Sequence, residues 1–406
     1  MHATPGVAHI LITGSELVTG RVSDVNGPFL AGRLSEMGIP VAGITVVGDD
    51  RERLTLAIGT LFRAATLVVM SGGLGPTGDD LTRPVLAAAL GVPLVAGPER
   101  DGRPPYPLPQ GGEPIANPKG SAPGIWFAQG GRALAALPGV PWELRAMWPE
   151  VARRAAPLFG GATRHRALLR TVGLTEREVE RRVRAALERH DLAAVEVGVS
   201  AKPLAVDVHL AAASPDTLAL AAAAARGALG DHVFTETDAP LAQVVGDALR
   251  RAGKRVATAE SCTGGALSAA FTAIAGASDY VDRGVVSYSN AAKVEALGVP
   301  EALIATHGAV SEPVARAMAE GLLARSHADI AVAVTGIAGP TGGTGQKPVG
   351  TVVMALTAAD GTFCRTFHHM GDRPRVIQRS VTRALDLVRR HLLGGVAGLE
   401  RDFPPG

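Results

Sequence analysis

The chain has 406 residues, of which 47% are hydrophobic and 19% charged, as expected of two or three globular domains and not of a disordered protein. Lys plus Arg total 40 against 38 Asp plus Glu, and aromatic residues make up 4%. We therefore expect no nucleic-acid partner, because such proteins carry a basic face or stacking aromatic side chains. Two cysteines, Cys262 and Cys364, exclude a disulfide scaffold and a cysteine-rich metal site.

The sequence contains neither a signal-peptide pattern nor an uninterrupted apolar run of about 20 residues. We therefore expect a soluble, cytoplasmic protein that contacts no membrane. The composition is also rich in Gly and Pro, which is typical of α/β enzymes with many loops.

The first part of the chain alternates short apolar runs with helical patterns. Three runs predict strands: HILIT (His9–Thr13), VAGITVV (41–47) and TLVVM (Thr66–Met70). A helical period lies between the first two runs, and LAALPGVPWELRAMW (134–148) predicts a strand, a turn and a helix. This alternation predicts a doubly wound parallel sheet, whereas the Pro- and Gly-rich stretch from Gly97 to Gly120 predicts a long surface loop.

From about Arg164 the pattern changes to a small α+β module, with a charged amphipathic helix, two strands and an Ala-rich helix over 215–229. A third unit begins near Ala239 with an amphipathic helix. Four apolar runs then predict the strands of a second α/β unit: RVATAE, GVVSYS, DIAVAV and GTVVMAL.

The segment SGGLGPTGDDLT (71–82) follows a predicted strand and has glycines at the spacing G-x-G-x-x-G. It is a poor dinucleotide fingerprint, because Pro76 interrupts it and the carboxylates of Asp79 and Asp80 would repel a bare pyrophosphate. Those carboxylates suit a phosphate ligand if a divalent metal bridges them. Capping of the next helix by either aspartate is the alternative.

The loop after the first strand carries Glu16, Asp24 and Asn26. Oxygen ligands from this loop and from the segment 71–82 are candidates for one shared metal, since ligands of such sheets bind at the carboxyl ends of the strands. An alternative stays open here too, because Asp24 is a natural N-cap of the helix that follows.

The segment TAESCTGGALSAA (258–270) places Ser261, Cys262 and Thr263 between a predicted strand and a predicted helix. Hydroxyls and backbone N–H groups at a helix start form a site for an anion or an oxyanion, and they present a nucleophile. The segment lacks the G-x-S-x-G pattern of a nucleophile elbow. Plain capping of the helix by Ser261 or Thr263 is the alternative.

A serine nucleophile requires a base, and lysine is the candidate. The histidines near this unit stand in no recognisable arrangement with Ser261, whereas lysine occurs five times in a chain that otherwise prefers arginine. Because arginine cannot lose its proton and a desolvated lysine can, we single out Lys293 after GVVSYS, with a solvated surface lysine as the alternative. Tyr288 lies five residues before it, not four, which excludes the Tyr-x-x-x-Lys pair of short-chain dehydrogenases.

Two further segments suit a phosphate-bearing small molecule. AVTGIAGPTGGTGQKPVGT (333–351) is not a P-loop, but its Gly-rich backbone begins near Thr335 and ends near Lys347, and simple turn formation is an equal alternative. In GDRPR (371–375), Arg373 and Arg375 lie at the start of the last predicted helix. A cation there opposes the helix dipole, so anion binding explains the arginines better than helix stability does.

The motifs together resemble a known family. AESCTGG, GVVSYSNAAK, HGAVSEPVA, VTGIAGPTGG, KPVGT and GDR occur in the order and spacing of the C-terminal domain of CinA proteins, the nicotinamide-nucleotide amidohydrolase of the CinA/PncC family. TGSELVTGRVSDVN, VVGDD, SGGLGPTGDDLTR, NPKGSAPG and LPGVPWE resemble the CinA N-terminal domain, which has a molybdopterin-binding-protein-like fold. The middle module is similar to the small KH-like domain of the family. The resemblance predicts two doubly wound α/β domains joined by a small α+β module, with domains at 1–160, 161–237 and 238–396.

For the C-terminal domain the resemblance implies hydrolysis of the amide of nicotinamide mononucleotide to nicotinate mononucleotide and ammonia, without a cofactor. In this interpretation Ser261 is the nucleophile, Lys293 is its base, and Tyr288 positions Lys293 or the substrate ring. Cys262 is the rival nucleophile. The expected substrate contacts are Thr263, Gly264, Thr335, Gly336, Lys347 and Arg373. The resemblance also implies a homodimer.

For the N-terminal domain the resemblance implies a metal-dependent ADP-ribose pyrophosphatase. The expected metal or phosphate contacts are Glu16, Asp24, Asn26, Asp79 and Asp80. One departure from the family is visible, because the segment between Leu90 and Asn117 is short and rich in Pro and Gly where the family usually carries a longer, largely helical one. The competing hypothesis is a non-catalytic molybdopterin- or nucleotide-binding protein linked to competence.

Overall fold

The fold is that of a computed structural model, which describes residues 6–75, 80–98, 105–159 and 165–404. The chain forms two compact units, Met1–Arg166 and Ala167–Gly406. Both units combine helices with sheets, which confirms the predicted α/β class. Among the described residues, no helix is both long enough and apolar enough to cross a membrane.

The first unit is built on a six-stranded sheet. Its elements are β1 (Ala8–Thr13), α1 (Ser15–Val18), α2 (Asn26–Glu36), β2 (Val41–Val47), α3 (Arg51–Ala64), β3 (Leu67–Ser71), α4 (Thr82–Leu90), β4 (Leu94–Val95), β5 (Leu108–Pro109), β6 (Gly112–Ile115), β7 (Gly124–Gln129), β8 (Arg132–Leu137) and α5 (Pro141–Ala155). The strand order is β2-β1-β3-β8-β7-β6. Ile10 and Leu11 are both fully buried, in cores on opposite faces, because neighbouring residues of a strand point to opposite faces.

Two sequence-based expectations for this unit need correction. The sheet is mixed, since β2, β1, β3 and β8 are parallel whereas β7 and β6 pair antiparallel. The stretch 97–120, expected to be a surface loop, contains β5 and β6 in its described part, and Leu108 and Ile115 are buried there. Strands this short leave no period in the sequence to detect.

The second unit begins with a four-stranded sheet covered by two helices. Its elements are β9 (His165–Val172), α6 (Glu176–Arg189), β10 (Glu196–Lys202), β11 (Ala205–Ala212), α7 (Pro215–Leu229) and β12 (Val233–Thr235), with strand order β10-β11-β9-β12. The strands β10 and β11 and both helices were predicted, whereas β9 and β12 were not. Val183 of α6 and Ala221 of α7 lie fully buried in a common core.

The rest of the second unit contains a five-stranded sheet. Its elements are α8 (Leu241–Arg251), β13 (Val256–Glu260), α9 (Ala266–Thr272), β14 (Val281–Val286), α10 (Asn290–Leu297), α11 (Glu301–His307), α12 (Glu312–Ala324), β15 (Ile330–Gly336), β16 (Thr351–Ala358), β17 (Gly361–His368) and α13 (Arg373–Asp402). The strand order is β14-β13-β15-β16-β17, with the first three strands parallel and the last two antiparallel. The strand β17 was not predicted.

The position of β13 directs attention to the loop that follows it. β13 lies between β14 and β15. The chain therefore passes from β13 to the strand on one side of it, and from there to the strand on its other side. In open α/β sheets, ligands bind at the carboxyl ends of the strands at such a switch point. The residue that follows β13 is Ser261.

A buried charge cluster ties α13 to the turn after α7. Asp386 is fully buried and accepts hydrogen bonds from Arg389 at 2.7 Å and from Arg390 at 3.1 Å. Arg389 also donates to the carbonyl of Asp231 at 2.7 Å. Since a buried carboxylate is tolerated only when it is paired, this cluster holds the two parts of the second unit together.

Candidate active site

Ser261 stands at the carboxyl end of β13 and is held by both neighbouring strands. Its N–H donates to the carbonyl of Val334 in β15 at 2.9 Å, and on the other side the N–H of Ser287 donates to the carbonyl of Glu260 at 2.8 Å. Ser261 itself is buried, with 9% of its surface exposed to solvent. The predicted nucleophile is therefore fixed at the end of a strand that lies between two others in the sheet.

Lys293 reaches Ser261 from α10. Its side chain is 1% exposed, and its Nζ lies 3.1 Å from the Oγ of Ser261, 2.9 Å from the carbonyl oxygen of Ser287 and 3.2 Å from that of Tyr288. Burial lowers the pKa of the Lys293 amine below its usual value. No carboxylate of the described residues shares a hydrogen bond with this amine to restore its charge.

The three partners of Nζ define what the neutral amine does. Two of them, the carbonyls of Ser287 and Tyr288, accept hydrogen bonds and never donate. A neutral amine has two N–H groups, which satisfy these carbonyls, and a lone pair, which is then left for the hydroxyl of Ser261. In this state the serine O–H donates to Nζ, as a nucleophile donates to its base.

The thiol next to Ser261 lies in a different environment. Cys262 is buried, and burial raises the pKa of its thiol to about 12. Because the thiolate is the reactive form of cysteine, Cys262 is a poor nucleophile near neutral pH. The geometry therefore favours Ser261 over the rival that the sequence left open.

Tyr288 contacts Lys293 through its backbone and not through its ring. The ring is 59% exposed, and its hydroxyl accepts a hydrogen bond from Arg373 at 3.0 Å. Arg373, at the start of α13, also donates to the carbonyl of Gly339 at 3.0 Å. The structure thus brings Tyr288 and Arg373 together beside the dyad, where the ring of Tyr288 is exposed.

The remaining predicted substrate contacts lie at the end of β15 and in the loop between β15 and β16. The hydroxyl of Thr335, near the end of β15, is buried and donates to the carbonyl of Ala309 at 2.9 Å. Gly336 ends the same strand. Lys347 is exposed and donates to the carbonyl of His307 at 3.0 Å. Both side chains hold the segment 307–309 in place, and the hydroxyl of Thr335 keeps its lone pairs for a ligand.

Two buried hydroxyls beside the dyad have no hydrogen-bond partner among the described residues, those of Thr263 and Ser287. Buried polar groups are otherwise almost always bonded, so such groups suit a bound ligand or water. Thr263 was predicted, whereas Ser287 was missed and only its place at the end of a strand pointed to it. Gly264 follows with φ 60°, a left-handed conformation that requires glycine for this turn.

Glu260 is the functional residue that sequence reasoning missed most clearly. It is fully buried, and its carboxylate accepts from the N–H groups of Gly265 and Leu267 at 3.0 Å and of Ser268 at 2.7 Å. These are the donors that start α9. The expectation that the helix start offers its N–H groups to an anion is therefore wrong for these three, because Glu260 already occupies them. A charged residue ending an apolar strand before a Gly pair was the available signal.

The predicted metal ligands of the first unit have other partners. Asp24 accepts from the N–H groups of Asn26 at 2.9 Å and Gly27 at 3.0 Å, so it caps the start of α2, as its alternative interpretation holds. Asn26 is buried, and its amide donates to Ser71 at 3.0 Å and to the carbonyl of Gly139 at 2.7 Å. Both side chains hold the loops at the end of the sheet.

The other predicted ligands do not complete a donor set either. The exposed carboxylate of Glu16 turns back towards Gly14, and that of Asp80 lies next to Gly75. Asp79 lies outside the described residues. In the described part of the chain, no three His, Cys, Asp or Glu side chains group as a metal site requires. The described residues therefore do not fit a resident metal.

Comparison with known proteins agrees with the motifs. Residues 238–392 match the family model described as "CinA C-terminal domain", and residues 9–157 match the one described as "Probable molybdopterin binding domain". A CinA-like protein from Anaeromyxobacter dehalogenans (strain 2CP-C) is 42% identical over 404 residues, which cover 94% of this chain and 98% of that protein. The chain belongs to the CinA family.

Other CinA proteins show the same extent of similarity. A CinA-like protein from Mycobacterium marinum is 39% identical over 420 residues, covering 95% of this chain and 98% of its own length. Among solved structures, the competence damage-inducible protein A from Klebsiella pneumoniae is 41% identical, with a TM-score of 0.37, and covers 38% of this chain and 96% of that chain. The two CinA-like relatives thus match this chain over 94% and 95% of its length.

Proposed function

We propose that this CinA protein hydrolyses the amide of nicotinamide mononucleotide, giving nicotinate mononucleotide and ammonia. The observation that carries the proposal is the 3.1 Å distance between Nζ of Lys293 and Oγ of Ser261 at a buried strand end. A serine hydroxyl facing a desolvated amine is a nucleophile–base pair suited to attack on a carbonyl. The choice of substrate comes from the resemblance of the motifs around this pair to the family's amidohydrolase domain.

The first half of the reaction forms an acyl-enzyme. The Oγ of Ser261 bonds to the amide carbon, its proton passes to Nζ of Lys293, and the electron pair of the C=O bond moves onto the carbonyl oxygen. When this pair returns, the C–N bond breaks and the nitrogen takes the proton from Lys293, leaving as ammonia. The second half repeats these steps with water as the nucleophile, so that nicotinate mononucleotide leaves and Ser261 regains its proton.

Arg373 and Tyr288, beside the dyad, supply contacts that a mononucleotide needs. Arg373 carries a permanent cation next to the exposed ring of Tyr288, and a guanidinium binds phosphate in a bidentate manner. An aromatic ring at the same place offers a face to the pyridine ring. We therefore assign the phosphate to Arg373 and the substrate ring to Tyr288.

The test is a coupled assay for ammonia release from nicotinamide mononucleotide. Lys293→Arg should abolish turnover, because a permanent cation cannot accept the serine proton. Lys254→Arg is the matched control, since Lys254 is half-buried in a turn of the same unit and should keep wild-type turnover. A non-catalytic molybdopterin- or nucleotide-binding protein, the competing hypothesis, would release no ammonia from this or any related amide.

An ADP-ribose pyrophosphatase in the first unit stays a prediction from the resemblance alone. The described residues supply no metal-binding group for it, so we derive no reaction step there. Incubation of the full chain with ADP-ribose and a panel of divalent ions tests it. Appearance of AMP and ribose 5-phosphate would support the second activity, and their absence under every ion would remove it.

We also expect a homodimer, again from the resemblance. Light scattering at several protein concentrations measures the mass in solution directly. A mass of twice 41.5 kDa is the expected result, and a strict monomer would remove the expectation.

A further inference from the structure

The backbone N–H groups after β13 fall into two sets. Those with an acceptor in the described structure belong to Ser261, Gly264, Gly265, Ala266, Leu267 and Ser268. The N–H groups of Cys262 and Thr263 have no acceptor on another described residue, and the N–H of Cys262 contacts the sulfur of its own side chain, although both residues are buried. Buried N–H groups without a partner are rare in folded proteins, and these two directly follow the proposed nucleophile.

Glu260 accepts from three of the bonded N–H groups, and backbone carbonyls accept from the other three. Its Oε2 accepts from the N–H groups of Gly265 and Leu267, and its Oε1 accepts from the N–H of Ser268 and from the Ser268 hydroxyl at 2.6 Å. The carboxylate thus bridges the end of β13 to the start of α9 across the turn that holds Ser261. Donors further along the turn are consumed, and the two nearest Ser261 stay available.

We infer that the N–H groups of Cys262 and Thr263 form the oxyanion hole of the amide hydrolysis, and that Glu260 is the positioning residue that keeps them in place. The inference rests on the proposed function. When Ser261 attacks, the carbonyl oxygen gains the electron pair of the C=O bond while the serine proton moves to Lys293. Two fixed N–H donors stabilise this oxygen more strongly than the neutral amide oxygen, which accelerates the step.

The unpartnered hydroxyl of Thr263 is a second observation at the same turn. This hydroxyl is buried and can donate to the same ligand oxygen. An apolar substrate group would leave the hydroxyl without a hydrogen bond. The turn therefore combines a nucleophile, two N–H groups without an acceptor on another described residue and an unbonded hydroxyl within three consecutive residues, Ser261 to Thr263. This combination suits a tetrahedral intermediate at an acyl carbon.

The substitution Glu260→Gln separates positioning from mere burial. Each oxygen of the carboxylate accepts two hydrogen bonds from the turn and helix start. An amide has one acceptor oxygen and one NH₂ donor, so one orientation sets NH₂ against the N–H groups of Gly265 and Leu267, and the other sets it against the N–H of Ser268. The turn must then change shape, although the side chain keeps its size.

The experiment compares binding of a tetrahedral analogue with binding of the planar product. The analogue carries an aldehyde in place of the carboxamide of nicotinamide mononucleotide, and Ser261 adds to it as a hemiacetal with its oxygen in the hole. In full-length Glu260→Gln we expect kcat to fall about 10²–10³-fold. Affinity for the aldehyde should fall by the same factor, whereas KM and affinity for nicotinate mononucleotide should change less than about threefold.

Two variants make the result decisive. Asp386→Asn removes another fully buried carboxylate of the same unit, so it measures the effect of destabilisation alone. The ratio of aldehyde affinity to product affinity should not change in this variant. Ser268→Ala removes one donor to Glu260, keeps the carboxylate, and should lower aldehyde affinity by about tenfold, as loss of a hydrogen bond to a charged group does. It carries the test if Glu260→Gln does not fold.

The contrary results are distinct. Unchanged kcat in folded Glu260→Gln and in Ser268→Ala, or equal losses of aldehyde and product affinity, would overturn the role of Glu260 while the proposed function stands. A wild-type protein that releases no ammonia and binds the aldehyde no better than the acid would overturn the proposed function, and the oxyanion hole with it.

Discussion

The Nζ of Lys293 lies 3.1 Å from the Oγ of Ser261, although the two residues are 32 positions apart in the chain. The sheet creates this contact, because Ser261 directly follows β13 and Lys293 lies in α10, the helix that follows the neighbouring strand β14. The carbonyls of Ser287 and Tyr288 occupy the N–H groups of a neutral Lys293. The serine is thereby the group left for the lone pair of the amine.

The nucleophile is tested by two neighbouring substitutions. Ser261→Ala should lower kcat by several orders of magnitude, since a covalent nucleophile is lost. Cys262→Ala keeps the backbone N–H and removes a thiol whose pKa burial raises to about 12, so we expect a loss below about tenfold. Ammonia release under saturating substrate measures both. Loss of activity in Cys262→Ala with survival of Ser261→Ala would reverse the assignment.

The pH dependence follows from the lowered pKa of Lys293. Only the neutral amine accepts the serine proton, so log(kcat/KM) should rise with a slope of one as pH increases and level off at the pKa of Lys293. Because burial moves that pKa downwards, the plateau should begin below the ordinary lysine value of about 10.4. Lys254→Arg should keep the same profile. A rate that is flat or falling across this range would contradict a lysine base.

Stability should follow the same proton. The unfolded lysine binds its proton more tightly than the folded one, so between the lowered pKa and about pH 10.4 the unfolded state carries more protons. The contribution of Lys293 to the free energy of unfolding therefore rises with pH in this window. A Lys293→Met variant should lose this slope in urea unfolding measured at several pH values, and persistence of the slope would assign it to another group.

The buried cluster on α13 predicts a large effect on stability. Asp386→Ala leaves the buried guanidinium of Arg389 without a carboxylate and that of Arg390 with Asp402 alone, which costs about 3–5 kcal/mol. Asp247→Ala is the control, because its ion pair with Arg250 is solvent-exposed and should contribute less than about 1 kcal/mol. Urea unfolding compares them, and equal effects would show that the cluster does not stabilise the second unit.

The proposed reaction uses no metal, since a lysine activates the nucleophile. Ammonia release should therefore stay unchanged after extended treatment with a chelator and dialysis. Restoration of activity in a chelated sample by one particular divalent ion would show that a metal takes part. The measurement also separates this activity from any metal-dependent activity of the first unit in the same chain.

Much of the fold was readable from periodicity, and the exceptions have physical reasons. The strands β1, β3, β13 and β15 are apolar runs buried on both faces, so the pattern alone marks them. The strands β5 and β6 are two and four residues long, too short for a period. Parallel or antiparallel direction is also absent from such patterns, which is why the sheet of the first unit was expected to be parallel and is mixed.

The candidate site was predictable only in part. The resemblance named Ser261 and Lys293, and the structure brings them into contact. The role of Glu260 was not predictable, because its carboxylate bonds to N–H groups five to eight residues later through a turn whose shape no local pattern encodes. In the first unit the carboxylate of Asp24 accepts from N–H groups at the start of α2, a contact that the sequence could not separate from metal binding, since a helix cap and a metal ligand look alike in sequence.

The most direct measurement is identification of the acyl-enzyme. Rapid quenching of the reaction with nicotinamide mononucleotide, followed by digestion and fragmentation in a mass spectrometer, locates the acyl group on the chain. We predict a nicotinoyl mononucleotide ester on Ser261, formed at the rate of ammonia release and absent in Ser261→Ala. A thioester on Cys262, or rapid ammonia release with no covalent adduct at any residue, would contradict the serine–lysine mechanism.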